Sequence, residues 1–131
     1  MKFDVVFVDV DEVLAAHSRV LAKDGGQDGV RDRGLLESAV MAPRTGYYNS
    51  LAELAAVYTH GIVKNHPFLD GNKRTGLTIG GAFLKTNGFP RLKLGNEWIR
   101  HIERLAAGEL SRDELTALFT AAMGGDPVAL E

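Results

Sequence analysis

The sequence predicts an all-α, or mainly α, fold: one compact domain of about six helices over residues 1–131. Apolar residues recur at helical spacing through most of the chain, with capping residues before these stretches and glycine or proline after them. The 131 residues are 45% hydrophobic and 24% charged, which is typical of one globular domain with its own core.

The N-terminal third predicts two helices separated by a polar connection. Asp9 or Asp11 would begin the first helix. Its apolar stripe consists of Val13, Leu14, His17, Val20 and Leu21. A glycine- and aspartate-rich connection covers residues 23–33, and residues 35–41 form a short second helix. Residues 43–49, with a proline, a glycine and two tyrosines, are predicted as a loop.

The central pair of helices meets at a proline turn. Ser50 and Glu53 form an S-x-x-E capping box for the third helix. Its apolar stripe consists of Leu51, Leu54, Ala55, Tyr58 and Ile62. Pro67 ends that helix, because proline disfavours helical geometry at the residue before it. The fourth helix is predicted over residues 72–86 and ends at Asn87 and Gly88.

Two further helices complete the prediction. Asn96 is the cap expected for the fifth helix, while Ser111 and Glu114 form a capping box for the sixth, which ends at Gly124. Their apolar stripes consist of Trp98, Ile99, Ile102, Leu105 and Ala106, and of Leu115, Leu118, Phe119 and Ala122. Residues 89–94 allow a short β element between the fourth and fifth helices.

Charge and cysteine content exclude several classes of protein. Fifteen Lys and Arg against seventeen Asp and Glu give a net charge of −2, so we expect no direct nucleic-acid binding. The absence of cysteine excludes a disulfide scaffold, a cysteine nucleophile and thiolate zinc sites. No apolar run near the start approaches the roughly 20 residues that cross a bilayer, so we expect a cytoplasmic protein with no membrane partner.

Residues 66–76 carry the densest run of reactive side chains. Gly71 permits a tight turn into a new helix that begins at Asn72. The first N–H groups of a helix have no intrahelical partners, and the helix dipole adds positive charge there, so the turn is a natural anion site. Lys73 and Arg74 add two full positive charges.

Three more side chains of this run add a metal ligand, a base and an anchor. Asp70 is a hard oxygen ligand suited to Mg²⁺. The imidazole of His66 can accept a proton from a hydroxyl. Phe68 is expected to anchor the turn to the core. Together the run contains the parts of a phosphoryl- or nucleotidyl-transfer site.

A purely structural interpretation competes with this one. An isolated Asp-Gly-Asn is commonly a turn with a helix cap, and a lone histidine before proline is commonly structural. A Lys-Arg pair at a helix start opposes the dipole, and Asp70 could be the carboxylate that compensates it. The coincidence of all these features in one short run favours a functional site.

The run His66-Pro-Phe-Leu-Asp-Gly-Asn-Lys-Arg resembles the Fic/Doc signature. In that signature H-P-F-x-D/E-G-N is followed by G-R in Fic enzymes and by K-R in death-on-curing (Doc) toxins. Residues 29–39, 83–89 and 106–111 resemble the flanking segments of Doc-type proteins, so the resemblance covers nearly the whole chain.

The resemblance implies a six-helix Fic/Doc-like bundle that acts as the toxin of a toxin–antitoxin pair. Doc-type toxins use ATP and Mg²⁺ to phosphorylate a threonine of the translation elongation factor Tu, which stops translation. By position, His66 would activate the target hydroxyl, Phe68 would anchor the loop and Asp70 would hold Mg²⁺. The phosphates would be bound by Gly71, Asn72, Lys73 and Arg74.

Two departures from the Fic pattern favour the Doc type. Lys73 replaces the second glycine of G-N-G-R, and Leu77 replaces a second arginine. A long cation at Lys73 is expected to change the nucleotide orientation so that the γ-phosphate faces the target instead of the α-phosphate. We therefore expect a protein kinase. The alternatives are a Fic-type AMP transferase and a catalytically silent domain that binds a nucleotide or a partner.

Regulation is expected to come from a second protein. Many Fic proteins carry an inhibitory helix with the pattern S/T-x-x-x-E, and no Ser or Thr of this chain has Glu four residues later. An enzyme without its own inhibitor needs an external one. We therefore expect an antitoxin with a segment that folds into a groove beside the site.

Other candidate residues are weaker. Tyr47 and Tyr48 lie in the segment that would be the flap over the target, where they could contact the target or pack. Asp9 and Asp11 after an apolar run resemble the first motif of haloacid-dehalogenase phosphatases, but a strand running into a capped helix is the preferred interpretation. His17 lies on an apolar helix face and is expected to be structural, with a place in the cleft as the alternative.

Two remaining features are expected to have no catalytic role. His101 is predicted on a solvated helix face. Residues 25–29, with three glycines, lack the G-K-S/T ending of a phosphate-binding loop and are predicted as a flexible connection.

Overall fold

The computed structural model describes residues 4–130, so the ends of the predicted 1–131 domain, residues 1–3 and 131, lie outside it. Six α-helices and one short 3₁₀ helix account for most of this range. They are α1 (Val10–Asp24), α2 (Arg33–Met41), the 3₁₀ helix (Ala42–Thr45), α3 (Leu51–Asn65), α4 (Asn72–Thr86), α5 (Glu97–Ala106) and α6 (Arg112–Ala122). The predicted mainly α fold with six helices is confirmed.

The starts of α1 and α3 show which of the predicted capping contacts form. Of the two predicted candidates, Asp9 begins α1: its carboxylate accepts the Glu12 N–H at 2.9 Å, and the Glu12 carboxylate accepts the Asp9 N–H at 3.3 Å. Ser50 caps α3 by accepting the Glu53 N–H, but the Glu53 carboxylate accepts the N–H of Asn49 instead of Ser50.

The two C-terminal helices differ in how they begin. The predicted capping box of Ser111 and Glu114 is confirmed, with both reciprocal hydrogen bonds present. Asn96 does precede α5, but it has helical backbone angles and its side chain makes no capping bond. The expectation that the Asn96 side chain caps α5 is therefore wrong.

The predicted β element over residues 89–94 is absent. The N–H of Phe89 bonds to the carbonyl of Leu84, and the N–H of Leu92 bonds back to the carbonyl of Phe89, so the segment turns. Within residues 4–130, β pairing is limited to two isolated bridges, Val30–Phe68 and Ser50–Ala129. A single short segment cannot form a strand without an extended neighbour.

Residues 4–9, before α1, form no helix or strand and are held by side-chain hydrogen bonds. The hydroxyl of Tyr58 accepts the N–H of Val8 at 2.8 Å, and the Asn87 amide bonds to both backbone groups of Val6. The strand expected before α1 is therefore absent. Residues 4–130 contain no sheet that could support a phosphatase motif at Asp9 and Asp11.

Helix α3 lies at the centre of the core, and its close packing against α4 positions the turn between them. Gly76 of α4 permits this approach, because a Cβ there would lie 3.1 Å from the carbonyl oxygen of Thr59. The Thr59 hydroxyl in turn donates to the carbonyl of Gly76 at 2.8 Å. None of the helices within residues 4–130 is long and apolar enough to span a membrane.

Candidate active site

The reactive run forms the turn between α3 and α4, and we call residues 66–72 the signature turn. The turn has a left-handed residue near each end: His66, with φ 52° and ψ 54°, and Gly71, with φ 80°. Glycine adopts this conformation freely, whereas for histidine it costs on the order of 1–3 kcal/mol. The His66 backbone therefore depends on its surroundings to hold it.

Phe68 anchors the middle of the signature turn. Its side chain is fully buried. The Asn72 side chain bonds to both backbone groups of Phe68: its Oδ1 accepts the Phe68 N–H and its Nδ2 donates to the Phe68 carbonyl, both at 3.0 Å. Asn72 is itself buried, so its amide closes the turn. Any contact of Asn72 with a phosphate therefore falls to its backbone N–H.

His17 of α1 contacts the signature turn at Phe68 and Asp70. It is 3% exposed, and its ring stacks on Phe68 with centroids 3.7 Å apart and planes 6° from parallel. Its Nε2 lies 2.8 Å from the carbonyl oxygen of Asp70, so the tautomer with Nε2–H donates to that carbonyl. This placement agrees with the structural role expected for His17 and shows which residues it holds.

The connection before α2 runs alongside the signature turn. The N–H groups of Arg31 and Asp32 both donate to the carbonyl of Pro67, at 2.7 and 3.0 Å, and the Leu69 N–H donates to the carbonyl of Gly29 at 3.0 Å. The connection predicted over residues 25–29 is therefore bonded to the signature turn at Gly29. A glycine-rich sequence carries no signal for such long-range main-chain bonds.

Arg31 contacts the signature turn, and no pattern in the sequence indicated this role. Its guanidinium donates through Nε to the carbonyl of His66 at 2.7 Å and through Nη2 to the carbonyl of Asn65 at 2.9 Å. Arg31 lies inside the segment whose Doc-type resemblance was noted, but nothing in the sequence connects it with a histidine 35 residues away.

Asp70 is exposed, and its carboxylate could bind a metal ion that is also bound by substrate phosphates. Its Oδ2 accepts the N–H of Gln27 at 2.9 Å, which fixes the carboxylate at the edge of the cleft. Residues 4–130 contain no group of three His, Asp or Glu that could hold a metal by themselves. Mg²⁺ commonly takes one or two protein carboxylates and completes its shell with water and substrate phosphates.

Most of the predicted site residues line one cleft of about 610 Å³. Among the residues that line it are His66, Asp70, Gly71, Asn72, Lys73 and Arg74. No side chain caps the N-terminus of α4, so its first N–H groups face this cleft without a capping oxygen. Lys64 and Asp24 also line the cleft, which adds one charge of each sign.

Asp24, at the C-terminal end of α1, is the carboxylate paired with Arg74. The distance from Asp24 Oδ2 to Arg74 Nη1 is 2.5 Å. Asp70 instead bonds to Gln27, so the expectation that Asp70 could compensate the cations of α4 is not met for Arg74. The pairing holds Arg74 at the cleft edge.

Comparison with known proteins supports the resemblance seen in the sequence. A family model described as "Fic/DOC family" matches residues 7–84, which is more than half of the chain and includes the whole signature turn. The chain belongs to the Fic/DOC family. The match includes α1, α2 and α3 and most of α4, and it ends before α5 of this Fic/DOC protein.

Two curated relatives of this Fic/DOC chain carry functional names. The chain is 37% identical over 87 residues to a protein named "Toxin Doc" of Mycolicibacterium smegmatis, covering 63% of this chain and 65% of that protein. It is 32% identical over 85 residues to "Protein kinase doc" of Escherichia phage P1, covering 62% of this chain and 68% of that protein. The chain thus spans about two thirds of the length of these relatives.

Tyr47 and Tyr48, in the expected flap of the Fic/DOC domain, do not line the cleft. Tyr47 is 82% exposed. Tyr48 is half-buried, and the Arg112 guanidinium lies over its ring, 5.2 Å from the ring centroid. Of the two, only Tyr47 therefore has its side chain largely available to a second molecule.

The expectation for His101 is also corrected. His101 packs edge-on against Trp98, with ring centroids 5.2 Å apart, and its Nδ1 is buried with no hydrogen-bond partner among residues 4–130. It is half-buried and does not lie on a fully solvated face. The helical spacing showed only that His101 lies outside the apolar stripe of α5, which does not exclude packing against a neighbour such as Trp98.

Proposed function

We propose that this protein is the toxin of a toxin–antitoxin pair and acts as a protein kinase. It would transfer the γ-phosphate of ATP to a threonine hydroxyl of elongation factor Tu in the cytoplasm and so arrest translation. The family membership and the names of the two relatives support this proposal. The observation that carries the choice of kinase is Lys73, because it puts a long cation where Fic enzymes have a glycine.

The proposed reaction uses the two sides of the cleft. His66, exposed at the end of α3, takes the proton from the target hydroxyl. The hydroxyl oxygen bonds to the γ-phosphorus while the bond from that phosphorus to ADP breaks. The N-terminus of α4, with Lys73 and Arg74, binds the phosphates and stabilises their developing charge. Asp70 would hold Mg²⁺, which would neutralise phosphate charge when bound.

The main alternative is transfer of AMP with the same base and the same anion site. The two reactions differ in which phosphorus the target hydroxyl attacks. The departures at Lys73 and Leu77 favour the γ-phosphorus. A silent binding domain is the second alternative, and it would transfer neither group.

The test uses purified protein, Mg²⁺ and elongation factor Tu with ATP labelled at either the γ- or the α-phosphate. We expect label from the γ-position alone. His66→Ala should lower transfer by about 10²- to 10⁴-fold, the usual contribution of a general base, while nucleotide binding persists. Label from the α-position would overturn the kinase assignment, and full activity of His66→Ala would overturn the base.

A matched pair of lysine variants tests the role of Lys73. Lys73→Ala should weaken ATP binding and transfer, because it removes a cation from the cleft. Lys85→Ala, which removes an exposed lysine near the other end of α4, should leave both unchanged. Equal effects of the two substitutions would show that only the net charge of the helix matters.

We propose further that an antitoxin binds in the groove beside the cleft. This groove lies between α1, α4 and α5, with Leu77 and the 59% exposed Ile99 at its apolar part. Arg19 and Lys23 at its rim favour an amphipathic segment with acidic side chains. Arg74 lines both the groove and the cleft, so an occupant would lie next to the phosphates.

Growth of expressing cells tests this partner. Expression of the protein alone should arrest growth, and coexpression with the product of the adjacent gene should relieve the arrest. Ile99→Asp should still arrest growth but resist that relief, because it places a charge in the groove. Full relief of the Ile99→Asp variant would contradict binding at this surface.

A further inference from the structure

We propose that Arg31 is the positioning residue that holds His66 in its catalytic orientation. This inference rests on the proposed function, because it gives His66 the role of base. Arg31 lies outside the signature turn, in the connection before α2, and its side chain does not line the cleft. It would therefore act through His66 without contacting the nucleotide.

The guanidinium of Arg31 binds the end of α3 in a forked arrangement. Its Nε donates to the carbonyl of His66 at 2.7 Å, and its Nη2 donates to the carbonyl of Asn65 at 2.9 Å. Carbonyls at a helix C-terminus lack intrahelical donors and carry partial negative charge. A planar cation with fixed N–H directions suits two such oxygens, whereas an ammonium group cannot reproduce the fork.

The backbone of Arg31 makes a third bond to the same stretch. Its N–H donates to the carbonyl of Pro67 at 2.7 Å. The carbonyl oxygens of three consecutive residues, 65 to 67, are thus all bonded to Arg31. These bonds fix the planes of the peptide groups on both sides of Pro67 and the one that precedes His66.

The conformation of His66 explains why such bonds matter. With φ 52° and ψ 54°, His66 is left-handed, a conformation that non-glycine residues rarely adopt. The direction of a side chain follows from the backbone angles of its residue, so a peptide rotation at His66 would turn the imidazole away from its place in the cleft. Arg31 opposes that rotation by holding the carbonyl of His66.

The phosphate side of the cleft is held independently. The bonds to Asn72 close the turn at Phe68, and His17 holds the carbonyl of Asp70. Loss of the Arg31 side chain should therefore disturb the base while it leaves the anion site in place. This separation predicts an effect on kcat with little effect on the KM for ATP.

The test compares Arg31→Ala and Arg31→Lys with Arg33→Ala in the γ-phosphate transfer assay. Arg31→Ala should lower kcat by about 10- to 100-fold, the range expected for a small displacement of a reacting group, with the KM for ATP within about two-fold. Arg31→Lys should recover only part of the loss. Arg33→Ala should match the wild type, since Arg33 is exposed and forms a surface pair with Glu37 at 3.7 Å.

A spectroscopic measurement separates positioning from general destabilisation. NMR chemical shifts of the His66 Cα and Cβ report its left-handed backbone. We expect Arg31→Ala to move them toward values of right-handed residues, while shifts of residues in α6 and the melting temperature of the protein stay near those of Arg33→Ala. A wild-type kcat for Arg31→Ala, or unchanged His66 shifts in it, would overturn the inference.

Failure of the proposed function gives a different pattern. If the wild-type protein transfers no phosphate, or His66→Ala transfers it normally, the kinase assignment fails. The His66 shifts in Arg31→Ala would still show whether Arg31 holds that backbone. If transfer is normal in the wild type and lost in His66→Ala but unaffected in Arg31→Ala, only the inference about Arg31 fails.

Discussion

The signature turn and the flap segment, residues 43–49, are both loops between helices, but they are held very differently. In the signature turn, the backbone groups of residues 66–70 are bonded to three other parts of the chain. These parts are α1 through His17, the connection before α2 through Arg31, and α4 through Asn72.

The flap segment is attached near its two ends and through Tyr48, which is half-buried against Arg112. At one end Pro43 is buried, and the Arg44 guanidinium lies over the ring of Phe7 at 5.1 Å. At the other, the Asn49 N–H donates to Glu53 and its carbonyl accepts from Leu130. Between these ends, Tyr47 is largely exposed.

This difference separates two tasks that an enzyme of this proposed kind must perform. A proton acceptor and a phosphate cradle have to be fixed before substrate arrives, because reorganisation at the moment of reaction raises the barrier. A surface that receives a protein target can adapt, because contacts there affect binding more than chemistry. We therefore expect substitutions in the turn to change stability and those in the flap to leave it unchanged.

The largest effect is expected from Asn72→Ala. This substitution leaves the N–H and the carbonyl of buried Phe68 without partners, so the free energy of unfolding should fall by about 2–4 kcal/mol. Urea denaturation followed by circular dichroism measures the loss. Asn72→Asp keeps the acceptor for the Phe68 N–H but places a second oxygen against the Phe68 carbonyl, so it should also be destabilised. If Asn72→Ala lowers the free energy of unfolding by less than about 0.5 kcal/mol, the scale of an ordinary surface change, the two bonds from Asn72 do not stabilise the turn.

A smaller effect is expected at His17, where two variants separate its two contacts. His17→Gln keeps a donor for the carbonyl of Asp70 but loses the stack on Phe68, while His17→Phe keeps the stack and loses the donor. Each should lower the free energy of unfolding by about 1–2 kcal/mol. Hydrogen exchange at Gln27, whose N–H binds the Asp70 carboxylate, should accelerate more in His17→Phe. Equal exchange in both variants would show that the hydrogen bond is unimportant.

A pH-dependent effect is expected at His60, on α3 away from the turn. Burial, with the nearby charges of Arg112 and Lys64, lowers the pKa of His60 below its ordinary value of 6.5. The unfolded chain therefore binds the proton more readily, so this contribution to stability is present above pH 6.5 and is lost as the pH falls below it. His60→Gln should flatten the stability profile between about pH 7 and pH 5. An unchanged slope would assign the acid sensitivity to other groups.

The smallest effect on stability is expected from Tyr47→Ala. Its side chain is 82% exposed, so the free energy of unfolding should change by no more than about 0.5 kcal/mol. If the flap receives the target, the KM for elongation factor Tu should rise while the KM for ATP stays constant. A loss of stability comparable to that of Asn72→Ala would remove the contrast between the two loops.

The helices and the position of the signature turn could be predicted from the sequence because both depend on local patterns. Capping at Ser111 and the end of α3 before Pro67 follow from residues close in sequence, and so does the turn at Gly71. The strand over residues 89–94 was wrongly predicted, because a strand needs a distant partner that a local pattern cannot supply.

By itself, the sequence determined that a histidine, a carboxylate and two cations lie together around the start of a helix, since they are neighbours along the chain. Only the tertiary structure decided what holds them. Arg31 and His17 reach the signature turn from 35 and 53 residues away, and Asp24 pairs with Arg74 across the cleft. Such contacts arise from the packing of helices against one another, and packing depends on the whole core instead of on any one segment.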